Sequence, residues 1–432
     1  METLRTWVVV LCSALAMGAP AASADEIPTA RPSKVGMSAE RLARIAPVMQ
    51  RFVDEKQVAG IATLIARDGR IVHDEQFGAL DFESGRPLPP DAIYRIYSMS
   101  KPIAAVALMM LHEEGKFLLG DPASRFIPEL AQMKVAAEVG PDGPRLEDPL
   151  HPITMREVLS HTAGFGYGIF ADSAGPIESM YAQANLLDRQ QTLAEMITKM
   201  VKLPLQYQPG TSWAYSLSND VQGRLVEMIS GQPFDAFLRE QLFGPLDMPD
   251  TGFTVPPEAV DRFTSNYLIG GNSSADGGGE PPQPIDTPAK SSYVSGVRFF
   301  SGGGGLVSTT RDYLRFAQML ANGGELDGVR ILSPRTIELM TLDHLPRGVE
   351  MQLGGRPMAG LGYGLGFGVY TDQATAGVSA PAGAYWWGGA ANTGFWIDPQ
   401  ERIVGVLMTQ RFPGSLPLNN LLQSLAYQAI VE

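Results

Sequence analysis

Nine consecutive residues, Ile103-Ala104-Ala105-Val106-Ala107-Leu108-Met109-Met110-Leu111, carry no polar side chain. A helix that is apolar on every face reads as a buried core helix, and Glu113-Glu114-Gly115 supplies its C-terminal signal. Directly before it stand Ser98-Met99-Ser100-Lys101-Pro102. Helical residues three apart share a face, so Ser98 and Lys101 come together, with Lys101 at the buried start of the helix. Burial lowers a lysine pKa, and a lysine acting as base near neutral pH requires that, whereas a structural lysine is more often solvated. A serine hydroxyl is a weak nucleophile without such a base. Ser98 and Lys101 therefore form a candidate catalytic dyad, nucleophile and base. A serine three residues before a lysine also arises by chance, and context separates the two readings. There are only eight lysines among the 33 basic residues, and Lys101 alone has a serine three positions earlier.

Strand and helix signals divide the chain. Ser38 caps a helix expected to run to about Lys56, with Leu42, Ile45, Val48, Met49 and Phe52 at helical spacing. Val58 to Ala66 and Arg70 to Gly78 are β-rich runs joined by Asp68-Gly69, a hairpin signal. From there to about residue 290 the pattern is mainly helical, with Thr154 and Ser218 as caps. Gly364–Tyr370, Tyr385–Trp387, Thr393–Ile397 and Arg402–Thr409 read as strands, and Leu416–Ile430 as a closing helix. One sheet built from both chain ends, with a mainly helical domain inserted, is the expected architecture. The sheet domain takes 25–105 and 296–432, the helical domain 106–295. A Gly/Pro-rich stretch at 270–290 reads as a long exposed loop.

The first 24 residues have the form of a secretory signal peptide: Arg5, an apolar core from Trp7 to Met17, then Ala22-Ser23-Ala24, with cleavage expected before Asp25. Export to the periplasm or outside follows, and no other segment is long and apolar enough to suggest stable membrane insertion. Cys12, the one cysteine, falls in the signal, which excludes a disulfide or a cysteine nucleophile in the remainder. A net charge of −13 with scattered basic residues gives no nucleic-acid signature. The five histidines lack zinc-binding spacing, so no metal site is expected, and there is no Gly-x-Ser-x-Gly elbow. His161 ends a helix, where a structural histidine bonding the backbone is favoured over a catalytic one. Tyr215, at a loop-to-helix junction after Pro209-Gly210, is a candidate proton relay, since a cation such as Lys101 beside a phenol favours the phenolate. As one of thirteen tyrosines it reads, from the residues alone, more readily as a packed aromatic.

With these residues in place the chain resembles the serine β-lactamase and penicillin-binding-protein family, most closely its family VIII carboxylesterase branch, similar in fold to class C β-lactamases. The resemblance spans nearly all of residues 25–432. Ser98 to Lys101 matches the first motif, nucleophile and base, and Tyr215 matches the tyrosine of a Tyr-x-Asn motif in which Leu217 replaces the asparagine. Leu159–Gly164 and Ser301–Asp312 resemble recurrent segments taken as structural.

β-Lactamases and cell-wall peptidases of this family carry Lys-Thr-Gly or His-Thr-Gly beside the serine, partly to hold a substrate carboxylate. No lysine follows Lys290, and Trp387-Gly388-Gly389 stands in the expected place, like the Trp-x-Gly of family VIII esterases. The resemblance implies that Trp387, Gly388 and Gly389 line the substrate and that the amides of Ser98 and Ala390 form the oxyanion hole. The Trp386-Trp387 pair is also readable as plain core. The expectation is a carboxylesterase for small to medium esters that needs no cofactor, its partner a small-molecule ester. A β-lactamase or D-amino-acid peptidase, and a non-catalytic cell-wall-binding protein, are the alternatives.

Overall fold

A computed structural model describes residues 26–141, 143–169, 175–270, 281–353 and 355–432. The signal segment and residues 271–280 of the Gly/Pro-rich stretch lie outside the described residues. Asp68 and Gly69 both adopt left-handed φ (54° and 67°), as a two-residue hairpin turn requires, and join β1 (Gly60–Arg67) to β2 (Arg70–Gly78). Five strands come from the other end of the chain: β3 (Leu361–Tyr363), β4 (Gly368–Tyr370), β5 (Tyr385–Gly388), β6 (Gly394–Asp398) and β7 (Ile403–Thr409). They form one seven-stranded sheet, β3-β4-β5-β6-β7-β1-β2, antiparallel throughout. β7 lies against β1, Ile61 opposite Thr409 and Arg67 opposite Ile403, so the two chain ends meet within the one sheet.

β1 is buried along its whole length because helices cover both faces of the sheet. Ile61 and Ile65 face a core shared with α1 (Ala39–Leu42), α2 (Ile45–Asp54) and, at the end of the chain, Leu418 and Leu422. Ala62, Leu64 and Ala66 face the main core, which contains α3 (Ser100–Glu113) together with α4 (Met155–Leu159), α5 (Ser218–Ser230), α6 (Thr310–Ala321) and side chains of β5–β7. The C-terminal helix, α7 (Leu418–Tyr427), closes the outer face. Except for half-buried Met110, the whole Ser100–Leu111 stretch of α3 is buried. Each large apolar side chain there contributes roughly 1.5–3 kcal/mol, which makes α3 the axis of the molecule. The fold is mixed α/β, an antiparallel sheet flanked by helices.

Several expectations need correction. Ser38 does cap, accepting from Arg41 N at 3.3 Å, but the helix breaks at Ala43-Arg44. Arg41 and Arg44 there reach across to Gln428 beyond α7, while α2 turns onto the sheet. Thr154 caps α4 with a reciprocal capping box to Glu157. Ser218 is not a cap: Leu217 holds that position, and the Ser218 hydroxyl lies 2.9 Å from that of Ser216 instead. Within the 106–295 segment Val135–Gly140 and Gly143–Glu147 add a hairpin that was not expected. Gln283–Asp286, placed in the exposed loop, is a strand paired with Asn266–Leu268. The expected strand from Gly364 begins only at Gly368. The boundary drawn at 105/106 falls inside α3, which both proposed domains therefore share.

Candidate active site

α3 begins at Ser100, so Ser98 stands in the single 3-10 turn Tyr97–Met99 before it and the Ser-x-x-Lys pair straddles the junction. Tyr97 has a φ of 43°, a backbone region that non-glycine residues seldom occupy, immediately ahead of the half-buried Ser98. Lys101 is fully buried. Its Nζ lies 3.2 Å from Ser98 Oγ, 3.0 Å from Tyr167 Oη and 2.6 Å from the carbonyl oxygen of Gly303. A neutral amine has two hydrogens and one lone pair, and these three neighbours can use all of them: Gly303 and Tyr167 accept, Ser98 donates. Burial brings the Lys101 pKa from 10.5 down to about 7, against the opposing pull of the Asp220 carboxylate.

Tyr215 lies on the other side of the same amine, its ring centroid 4.4 Å from Nζ, and its phenol receives a hydrogen bond from Trp387 Nε1 at 3.4 Å. Burial pushes its pKa well above the ordinary tyrosine value, against weaker lowering by hydrogen bonds with Ser98 and Trp387. Desolvation sets the direction, opposite to the phenolate expected beside a cation, and Tyr215 is a neutral phenol within reach of Ser98.

Three further partners escaped the sequence reading. Tyr167 is fixed because the buried Glu178 carboxylate accepts the backbone N–H of Tyr167 at 2.9 Å and of Gly168 at 2.5 Å. Its one sequence signal was the glycine run Gly164-Phe165-Gly166-Tyr167-Gly168. At Gly166 a Cβ would come within 2.6 Å of the Tyr181 ring, so the chain passes there only without a side chain. Asp220, in the first turn of α5, accepts from Ser301 Oγ at 2.5 Å and from Gly303 N at 3.2 Å. Burial raises its pKa, while Ser301 and the charge of Lys101 oppose this. A Cβ on Gly303 would fall 2.6 Å from Asp220 Oδ2, so glycine is what lets this loop press close enough to offer its carbonyl to Lys101.

Trp387, Gly388 and Gly389 reach the site from β5. β5 pairs with β4 only through Tyr385 and Trp386, which leaves the edge from Trp387 onward without a strand. Trp387 is 4% exposed, and its ring packs on Tyr215 and Tyr363, at centroid distances of 5.5 and 5.2 Å. It belongs to the core and touches the site through Tyr215. Gly389 crosses directly over the turn before Ser98, where a Cβ would lie 2.4 Å from the carbonyl oxygen of Ile96. Ala390 follows, half-buried, and among the described residues nothing accepts its N–H. No group of three or more His, Cys, Asp or Glu among the described residues could hold a metal.

Residues 45–428 match the family model described as Beta-lactamase. The chain belongs to the β-lactamase family. Among its relatives in that family is Esterase EstB of Burkholderia gladioli, 30% identical over 393 residues that cover 86% of this chain and 91% of EstB. Lovastatin esterase of Penicillium rubens is 28% identical, covering 83% and 90%. Among solved structures of similar fold, EstCE1, described as a hydrolase with promiscuous acyltransferase activity, aligns with a TM-score of 0.75 at 27% identity, covering 90% of this chain and 99% of EstCE1.

Proposed function

We propose that this β-lactamase-family chain is a serine carboxylesterase acting on small to medium carboxylic esters through an acyl-enzyme on Ser98. The observation that carries the reading is the buried Lys101 amine, its pKa brought to about 7, set 3.2 Å from Ser98 Oγ. Neutral Lys101 takes the Ser98 proton as Oγ attacks the ester carbonyl. The N–H groups of Ser98 and Ala390 receive the oxyanion. Tyr215 gives its proton to the departing alkoxide and recovers one from the Lys101 ammonium, so the proton taken from serine leaves with the alcohol. Water then attacks the acyl-enzyme, passing its proton by the same pair back to Ser98. No step needs a cofactor. The ester lies along the free edge at Gly388 and Gly389, with Trp387 acting through its support of Tyr215.

The absence of any lysine beyond Lys290 favours uncharged esters over the carboxylate-bearing substrates of the alternative reading, a β-lactamase or D-amino-acid peptidase. Esterase names among relatives across most of the chain support the same reading. Residues 1–24 act as an export signal in this proposal, and N-terminal sequencing of protein recovered outside the cytoplasm, beginning at Asp25, would bear this out. The deciding experiment is hydrolysis of p-nitrophenyl butyrate and of a chromogenic cephalosporin by wild type and Ser98→Ala. Ester turnover lost in the variant, with little cephalosporin cleavage by either, supports the proposal. Faster cephalosporin cleavage makes the alternative the main activity, and ester turnover surviving in Ser98→Ala removes the acyl-enzyme.

A further inference from the structure

His161 grips both peptide groups that flank Tyr215. Its carbonyl accepts the Ala214 N–H at 3.1 Å, and its ring Nδ1 accepts the Ser216 N–H at 3.2 Å. The one residue between these two anchors is Tyr215. His161 offers carbonyl and ring to the same passing segment from a left-handed backbone, with a φ of 60°. The ring is fully buried and lies against Tyr215 at 5.2 Å between centroids, with Tyr363 at 5.2 Å and Trp213 at 5.8 Å around it. Ser216 Oγ also lies 2.9 Å from Nδ1 and 2.9 Å from Ser218 Oγ, so the same ring nitrogen is tied to the start of α5.

An Nδ1 that accepts a peptide N–H carries no proton, which fixes the tautomer: the ring hydrogen is on Nε2. The surroundings enforce this state. Burial first, then the neighbouring Lys101 charge, hold the imidazole pKa well below its ordinary value, against a smaller opposing effect of Asn219. We propose that His161 is a positioning residue for the proton relay, an acceptor that locks the backbone on both sides of Tyr215 and so fixes where the phenol stands relative to Lys101 and Ser98. This rests on the reading in which Tyr215 protonates the leaving alcohol. A ring serving only to fill the core would do as well as phenylalanine; what phenylalanine lacks is the acceptor for Ser216 N–H. Displacing a catalytic group by about 1 Å can lower a rate about 100-fold, and the Tyr215 phenol is placed by a segment that His161 holds at both ends.

Leaving groups separate positioning from structure. p-Nitrophenolate departs without a proton, whereas an ethoxide needs one, so a misplaced Tyr215 damages acylation by ethyl butyrate far more than by p-nitrophenyl butyrate. The experiment compares kcat/KM for both esters in wild type, His161→Phe, His161→Asn, Tyr215→Phe and the His161→Phe/Tyr215→Phe double variant. Asparagine tolerates left-handed φ and presents its side-chain oxygen where Nδ1 stood. The expected result is a loss of about 10- to 100-fold for ethyl butyrate in His161→Phe, with a few-fold change at most for the nitrophenyl ester and recovery of most of the loss in His161→Asn. The double variant should be no slower than Tyr215→Phe, because both changes act through one phenol. Equal losses on the two esters, multiplying losses in the double variant, or no recovery with asparagine would overturn the proposal. Should His161→Phe not fold, His161→Ala takes its place: a loss selective for ethyl butyrate supports the clamp, and equal losses on the two esters, or none, overturn it. A Tyr215→Phe variant with wild-type turnover of ethyl butyrate would instead remove the relay itself, a different result from failure of the clamp.

Discussion

Replacing Lys101 by methionine should abolish esterase activity and yet stabilise the protein at neutral pH. The Lys101 pKa is about 7 in the folded chain against an ordinary value of 10.5. Between those two pH values the unfolded chain binds a proton that the folded chain does not, so Lys101 makes stability rise with pH by about 1.4 kcal/mol per unit across that window. Below pH 7 the burial cost is complete, about 5 kcal/mol, and above about pH 10.5 it is gone. Methionine has no proton to bind and fills the same channel. It forfeits the hydrogen bond to the Gly303 carbonyl and the contact with Tyr167, and stranding such a buried acceptor costs about 1–3 kcal/mol. The variant should therefore be about 2–4 kcal/mol more stable than wild type near pH 7 and lose that advantage at about pH 8.5 to 10. Urea unfolding of both proteins at pH 7, 8, 9 and 10 measures this, since taking the difference between them removes every other titrating group. Parallel stability curves would refute the reasoning, because they would mean that Lys101 keeps the same charge folded and unfolded.

In the proposed mechanism the same amine sets the acid limb of kcat/KM. With Asp220→Asn the counter-charge is lost, the Lys101 pKa falls further, and the limb should move to lower pH by about one unit; an unmoved limb would mean that Asp220 is itself protonated in the working enzyme. Gly389→Ala places a Cβ 2.4 Å from the Ile96 carbonyl oxygen and 2.2 Å from Thr393 Oγ1, which should push β5 off the turn before Ser98 and lower kcat/KM about 100-fold while the far-ultraviolet circular dichroism stays unchanged. Glu178→Gln offers one amide oxygen to the two N–H groups of Tyr167 and Gly168, and it should lower stability by about 1–3 kcal/mol in urea unfolding. A stability equal to wild type would show that those N–H groups find another acceptor.

The legible part of this protein was what neighbouring residues decide together. Asp68-Gly69 fixed a hairpin because two adjacent left-handed residues are a local matter, and Thr154 with Glu157 fixed a helix start for the same reason. The spacing of Ser98 and Lys101, next to nine apolar residues, already placed an amine at the buried start of a helix. Where distant segments compete, local signals misled. Ser218 has the composition of a cap, but its hydroxyl was drawn to Ser216, and the first helix divides so that Arg41 and Arg44 can reach the far end of the chain.

The sequence by itself determined the pairing of Ser98 with Lys101, the two-ended sheet and the absence of any lysine after Lys290, since each is a matter of residue type or of short-range periodicity. Tertiary structure alone decided which groups surround Lys101: Tyr167 from one loop, Gly303 from another, Asp220 and Tyr215 from the approach to α5, Trp387 from a strand near the end of the chain. It also decided the protonation states. A pKa depends on how much water is excluded and on which charges converge, and neither is fixed until segments hundreds of residues apart have packed together.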